Sequence, residues 1–573
     1  CKQLRIQSGC NRILLHSKIM MKPIILLFLL NNFVNGLFGE ISDLLVETAL
    51  GSVQGFSKIS SYGRAYRAFE GIPYAKPPVG NLRFEPPNDN GPWEDTLLAT
   101  SPKSGCVAYT HELGNPSGRI TGEEDCLYLN IYTPFNQTKK ESKLPVLFWI
   151  HGGAFQFGQG SHEGPLYIMN RDLVFVTINY RLNILGFMST GDGVVPGNMG
   201  LKDQSLALRW VHENIESFGG DPNRITIGGV SAGGASTHYH YLSPMSRGLF
   251  QGGISVSGTA LDCWTQTENS PEKAKKVGSL QGCPTNSTKE MVECLKSRPA
   301  RSIVQLVAQF QPWWFNPFTP FGPVVEENSP SAFISRSPIE IITSGDAADL
   351  PWITSVTSEE GLYPIVEFIE GKFMAELDEK WEELAPHLLD FNYTIPQSQH
   401  ARIAVKIRKH YLGNRKIQKD TAKSLIHMVG DRLFSVDAAK AAKLMAKINR
   451  SPVWFYYYNY RASISLTDVF NVTGNYGVSH SDDAFTFIDS GLPVITDQPT
   501  LNMQKIFLDI IESFLQKGSP PNNIRWPEVA ASMEYLNYLH IAGPEKLNAT
   551  CSSDFAEEKF WSCINFDENK PTV

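Results

Sequence analysis

Gly229-Val230-Ser231-Ala232-Gly233 decides how this chain is read. It follows the apolar run Ile225-Thr226-Ile227 and leads into the small residues Gly234-Ala235-Ser236. The pattern predicts a strand, a sharp turn and a helix. Ser231 sits at the apex, where the close approach of the backbone admits only glycine on either side. A serine held there presents its hydroxyl to a pocket and stands at a helix N-terminus. Taken alone, the pentapeptide fits an ordinary glycine-rich turn equally well. The surrounding sequence decides between the two.

Working outward, Leu144-Pro145-Val146-Leu147-Phe148-Trp149-Ile150 and Leu173-Val174-Phe175-Val176-Thr177-Ile178 are near-continuous apolar runs. Residues 203–211 carry apolar side chains at helical spacing. Continuous apolar strands separated by helices predict a large, mostly parallel sheet covered on both faces, an α/β fold. Ligand sites in such sheets gather at the carboxyl ends of the strands. Immediately after the first strand comes His151-Gly152-Gly153-Ala154-Phe155, whose glycines let backbone N–H groups converge unobstructed. With the amide of Ala232, these are candidate donors to a developing oxyanion. From about residue 265 to 470, helical stretches such as 437–447 mix with Pro- and Trp-rich loops and read as insertions that build a pocket wall. Residues 507–517 predict an amphipathic helix closed by Gly518-Ser519-Pro520-Pro521.

Of 573 residues, 42% are hydrophobic and 19% charged, which permits a large core and argues against global disorder. The net charge of −7 and pI near 6.1 exclude the basic footprint of a nucleic-acid binder. Residues 20–39 read as a signal peptide: Met21-Lys22, the short apolar run 23–30, then small residues at Gly36 and Gly39. Residues 1–19 read as an upstream extension, and 40–573 as a single catalytic domain. The polar tail around Asn565-Phe566-Asp567 offers no membrane anchor. A secreted, extracellular product is therefore expected. Sequons at Asn136, Asn286, Asn392, Asn471 and Asn548 are candidate glycosylation sites; a sixth, Asn449, is set aside because Pro452 follows its serine. Nine cysteines in an oxidising compartment imply disulfides. Cys106 and Cys126 bracket one polar loop, Cys283 and Cys294 a shorter one, and Cys551 and Cys563 are candidates to pair near the C-terminus. Cys263 is left over as a buried free thiol. No His/Cys/Asp cluster has metal-ligand spacing, and no cofactor is expected.

By this point the chain closely resembles the type-B carboxylesterase/cholinesterase family of α/β-hydrolases, and among them secreted insect-type carboxylesterases, including venom carboxylesterase-like enzymes. The resemblance runs from about Val46 to Phe566. It includes Phe69-Glu70-Gly71-Ile72-Pro73-Tyr74-Ala75, Glu124-Asp125-Cys126-Leu127-Tyr128-Leu129-Asn130, Asn179-Tyr180-Arg181, Gly200-Leu201-Lys202-Asp203-Gln204 and Phe218-Gly219-Gly220-Asp221-Pro222, besides the serine elbow. It implies a Ser231–His480–Glu360 triad. Glu360 matches the family's glutamate before a glycine, and His480 its G-x-x-H pattern in Gly477-Val478-Ser479-His480. Glu359 is then read as a solvated carboxylate. The resemblance further implies an oxyanion hole of Gly153, Ala154 and Ala232, a supporting hydroxyl at Ser257, and the disulfides Cys106–Cys126 and Cys283–Cys294. It also implies ion pairs Arg83–Glu124 and Arg181–Asp203. Trp264 resembles the family's pocket-lining aromatic, and Phe318 and Phe321 lie in the aromatic run 312–321; all three are expected at the substrate pocket.

Departures from the family pattern narrow the substrate. Val230 stands where cholinesterases place a glutamate, and residues 107–125 lack the tryptophan that would hold a quaternary ammonium. Uncharged, hydrophobic carboxylic esters are the expected small-molecule substrates. The alternative is a catalytically weak or inactive relative that sequesters toxins or mediates adhesion.

Overall fold

A computed structural model describes residues 44–110, 119–135, 143–369, 373–470, 472 and 474–570. The segments read as upstream extension and signal peptide, and the sequons at Asn136 and Asn471, lie outside these residues. The apolar runs form the strands predicted for them. The main sheet has eleven strands: β1 (Phe56–Ile59), β2 (Ala65–Pro73), β3 (Tyr128–Pro134), β4 (Leu144–Ile150), β5 (Val174–Ile178), β6 (Gly220–Val230), β7 (Gly252–Val256), β8 (Trp352–Thr357), β9 (Val453–Tyr458), β10 (Leu536–Ile541) and β11 (Leu547–Ser552). Their spatial order is β11-β10-β9-β8-β7-β6-β4-β5-β3-β2-β1. Pairing is parallel from β5 through β10 and antiparallel at both flanks, where β3, β2 and β1 close one side and β11 the other.

The continuous apolar character of β4 has a direct structural consequence. Val146, Phe148 and Ile150 enter one core, and Leu147 and Trp149 the other. A two-residue side-chain period therefore needs apolar residues at every position when both faces are covered. The first core is shared with α1 (Met199–Asn214), α2 (Ala232–Leu242) and α3 (Val436–Ile448). The second is shared with α5 (Gln498–Lys517), which contributes Met503, Phe507, Ile511 and Phe514. Gly518 caps that helix in the left-handed region at φ 66°. A one-turn helix, α4 (Leu466–Val469), lies in the loops at the carboxyl ends of the parallel strands.

Two cystines join Cys106 to Cys126 and Cys283 to Cys294. The expected Cys551–Cys563 pair is not formed, and both thiols are exposed. Cys551 belongs to edge strand β11, whereas the Cys563 thiol turns back onto the Lys559 carbonyl at 3.2 Å. The two are held on separate elements. Cys263 is a buried free thiol. Arg83 forks onto Glu124 at 2.6 and 2.7 Å, and Arg181 onto Asp203 at 2.8 and 2.7 Å. Arg83 also donates to the carbonyls of Leu295, Lys296 and Arg298, so its pair pins the second cystine loop beside the first. Asn286 and Asn548 are exposed, the latter on β11.

Candidate active site

β6 ends at Val230 and α2 begins at Ala232, so Ser231 alone reverses the chain. Its backbone lies at φ 60° and ψ −122°, a conformation that residues with side chains rarely adopt. Both neighbouring glycines are required by space. A Cβ on Gly229 would lie 2.4 Å from the Ile150 carbonyl oxygen, and one on Gly233 only 1.9 Å from the same atom. The elbow thus fits against the end of β4, and Ser231 lines a cavity of about 660 Å³.

Glu360 follows the end of β8, and His480 follows a bridge between Glu359 and Ser479. His480 Nδ1 lies 2.5 Å from Glu360 Oε2. The other carboxylate oxygen accepts from the Ser257 hydroxyl at 2.6 Å and the Thr357 amide at 2.7 Å. A carboxylate at Nδ1 fixes that nitrogen as the donor and leaves Nε2 as the acceptor of the neutral ring. Nε2 is buried and has no hydrogen-bond partner among the described residues, and the ring lines the same cavity as Ser231. The Ser231 hydroxyl is thus not hydrogen-bonded to Nε2 in this geometry. Such contacts often tighten only when substrate is bound. Phe434 and Tyr363 pack against the imidazole, with ring centroids 4.5 and 5.6 Å away.

Gly153 and Ala154 form the facing wall, at φ 107° and 54°. The amides of Gly153, Ala154 and Ala232 donate to no other group among the described residues. Unpartnered amides beside a strained serine are compatible with the oxyanion site that the family resemblance implies. His238 and His240, on α2, play no part in it. Burial pushes both down to about 3. His238 Nδ1 accepts from the Ala260 amide, and His240 is bound between Ser246 and Gln204.

Two carboxylates near His480 carry more than the sequence reading gave them. Glu359 is not solvated. It is 7% exposed, and its side chain accepts from the Val478 amide at 2.7 Å and from the Ser358 hydroxyl. Adjacent residues on a turn point different ways, so one glutamate holds the histidine and the other holds the histidine's own loop. Asp482 is fully buried and accepts from the Ser479 amide at 2.8 Å, the Leu466 amide at 2.8 Å and the Ser465 hydroxyl at 2.7 Å. It ties the His480 turn to the start of α4. The Asp482-Asp483 dipeptide was the available signal, since paired acids in an apolar setting need buried donors.

The pocket aromatics require correction. Trp264, Phe318 and Phe321 do not line the cavity. Trp264 donates to the Leu433 carbonyl at 2.7 Å and packs against Phe318 and Phe434 at 5.4 and 5.7 Å; Phe321 packs on Phe310. With its indole N–H satisfied and each ring edge met by another ring, this cluster fills the space behind His480. Phe157, Tyr363, Leu466, Val469, Phe470, Phe485 and Ile488 form the apolar wall instead.

A sheet of this topology with a serine at the strand–helix elbow places the chain in a known class. The family model described as the carboxylesterase family matches residues 42–559, and the chain belongs to that family. It is 50% identical to a carboxylic ester hydrolase of Bombus ignitus over 95% of this chain and 98% of that one. It is also 50% identical to venom carboxylesterase-6 of Apis mellifera, over 92% and 95%. A crystal structure of juvenile hormone esterase from Manduca sexta, with OTFP covalently attached, superposes with a TM-score of 0.80 at 28% identity, over 91% of this chain and 99% of that one. The fold is that of the α/β-hydrolases, and the protein is a carboxylic ester hydrolase.

Proposed function

We propose that Ser231, His480 and Glu360 hydrolyse carboxylic esters through an acyl-serine. The observation that carries this reading is the Glu360–His480 contact, which leaves Nε2 unpartnered in the cavity that Ser231 lines. In the first half-reaction, Nε2 takes the Ser231 proton as the hydroxyl oxygen attacks the ester carbonyl. Negative charge then develops on the carbonyl oxygen, where the amides of Gly153, Ala154 and Ala232 converge. A single donor of this kind contributes about 2.7–4 kcal/mol to transition-state stabilisation. The imidazolium, stabilised by Glu360, gives its proton to the leaving alcohol. Water enters with Nε2 as base, the second tetrahedral adduct collapses, and the acid departs. Atoms balance as ester plus water to acid plus alcohol.

The apolar wall and the valine before the serine support uncharged, hydrophobic esters as substrates. Secretion and glycosylation at Asn286, Asn392 and Asn548 belong to the same reading; no helix among the described residues is long and apolar enough to cross a membrane. The test is a fluorophosphonate probe beside an ester panel. Wild type should label one site per chain, and Ser231→Ala and His480→Ala should not. Labelling and turnover in Ser231→Ala would refute the mechanism, and a preference for choline over neutral aryl esters would refute the substrate class.

A further inference from the structure

The reaction above leaves two acidic side chains of the cavity unused, Glu163 and Glu367, and Glu163 is the one tied to the loop that bears Gly153 and Ala154. Glu163 lines the cavity with Ser231 and His480. Its Oε1 accepts from the Gly152 amide at 2.9 Å, and its Oε2 accepts from the Trp149 indole N–H. These donors flank the end of β4: Trp149 lies in the strand, and Gly152 lies one residue before Gly153 and two before Ala154. The carboxylate therefore ties the loop that bears the facing amides to the strand it leaves. The carbonyl of Gly152 is fixed as well, with His151 Nδ1 at 2.7 Å. His151 is stacked on Tyr180 at 4.3 Å, and the Tyr180 hydroxyl donates to the His151 carbonyl at 2.9 Å.

A trans peptide has its N–H antiparallel to its C=O. Holding the Gly152 amide and carbonyl from two sides thus sets the direction of the next N–H, that of Gly153. A hydrogen bond to a carbonyl also polarises its own amide and makes the N–H a better donor. Resting on the oxyanion reading above, we propose that Glu163 is a positioning residue that aims the Gly153 and Ala154 amides at the reacting carbonyl oxygen.

Glu163 is also ionisable in the working range. Burial pushes its carboxyl up to about 7, against the two hydrogen bonds that favour the anion. The titratable groups around it are His151, held down to about 4 by burial; His162, also lowered by burial; Tyr180; and Asp489, whose segment bridges to Gly164. Glu367 and His480 share the cavity. Of these, His480 is the base of the reaction, so a proton on either His480 or Glu163 acts against turnover. A neutral carboxyl is the weaker acceptor and slackens the Gly152 anchor.

The experiment compares kcat per fluorophosphonate-labelled site across pH for wild type, Glu163→Gln and Glu163→Asp, with Ser231→Ala, which takes no label, assayed per mole of protein. Counting labelled sites removes any misfolded fraction. Wild type should lose kcat below neutrality more steeply than a single proton allows. Glu163→Gln should show a one-proton limb and a plateau about 10–100-fold lower, with KM changed less than about threefold. Glu163→Asp, which keeps the charge, should retain the steeper limb. An unchanged kcat per site in Glu163→Gln, or an acid limb with the wild-type slope, overturns the proposal. Turnover in Ser231→Ala would overturn the underlying mechanism instead, so the two failures are told apart.

Discussion

Glu360 accepts three hydrogen bonds, from His480, Ser257 and Thr357, while buried at 1% exposure. All three partners are donors, so an amide in its place must turn an N–H toward at least one of them. Glu360→Gln should therefore favour the wrong imidazole tautomer and lower kcat by roughly 10³–10⁴-fold, with the fold intact by circular dichroism. A loss under tenfold would show that the carboxylate does not orient the base. At this scale the elbow at Ser231 was readable from Gly229 and Gly233, whereas Glu360 and His480 were reached only through the family resemblance, and the structure brings those two into contact. Glu359 was not readable. Its neighbour has the same chemistry, and only the path of the turn decides that Glu359 meets the Val478 amide rather than water.

Among the elements, the informative joint is the one Asp482 makes between the His480 turn and α4. Removing it in Asp482→Ala leaves the amides of Ser479 and Leu466 and the Ser465 hydroxyl without an acceptor. That should cost about 1–3 kcal/mol of stability, lower kcat and raise KM, because both the imidazole turn and the α4 part of the apolar wall are loosened. Thermal melts with single-turnover kinetics check both, and an unchanged kcat would place Asp482 outside the site's support. The strands were legible for a physical reason: β4 is apolar at every position because both its faces are covered. The pocket wall was less so. An aromatic run such as 312–321 announces burial but not which surface of each ring is free. Here Trp264, Phe318 and Phe434 satisfy one another, and the open wall falls to α4 and to Phe485 and Ile488, which no local pattern marked.

For the molecule as a whole, the telling feature is the number of buried acids. Burial lifts Glu163, Asp431 and Asp482 to about 7 and Glu268 to about 8. Each raised carboxyl binds its proton more tightly folded than unfolded, so the native state holds extra protons and stability falls as pH rises through these values. The buried histidines act in the opposite sense. His151 at about 4 and His238 and His240 at about 3 favour the folded state as pH rises, but their contribution is complete near their unfolded value of 6.5. Melting temperature should therefore decline from about pH 6.5 to about pH 8; a rise over that interval would contradict the sign.

The eleven-stranded sheet does not close, and among the described residues its last strand, β11, pairs with no further strand on one flank. Asn548 projects from that strand, inside a sequon. An oligosaccharide there would drape a hydrated brush over the unpaired amides and carbonyls, denying a second chain the ladder it would need to dock. Material produced without sugar, as in a bacterial host, would leave that rail open. Association of such material would run through β11, the edge that sugar at Asn548 would otherwise cover.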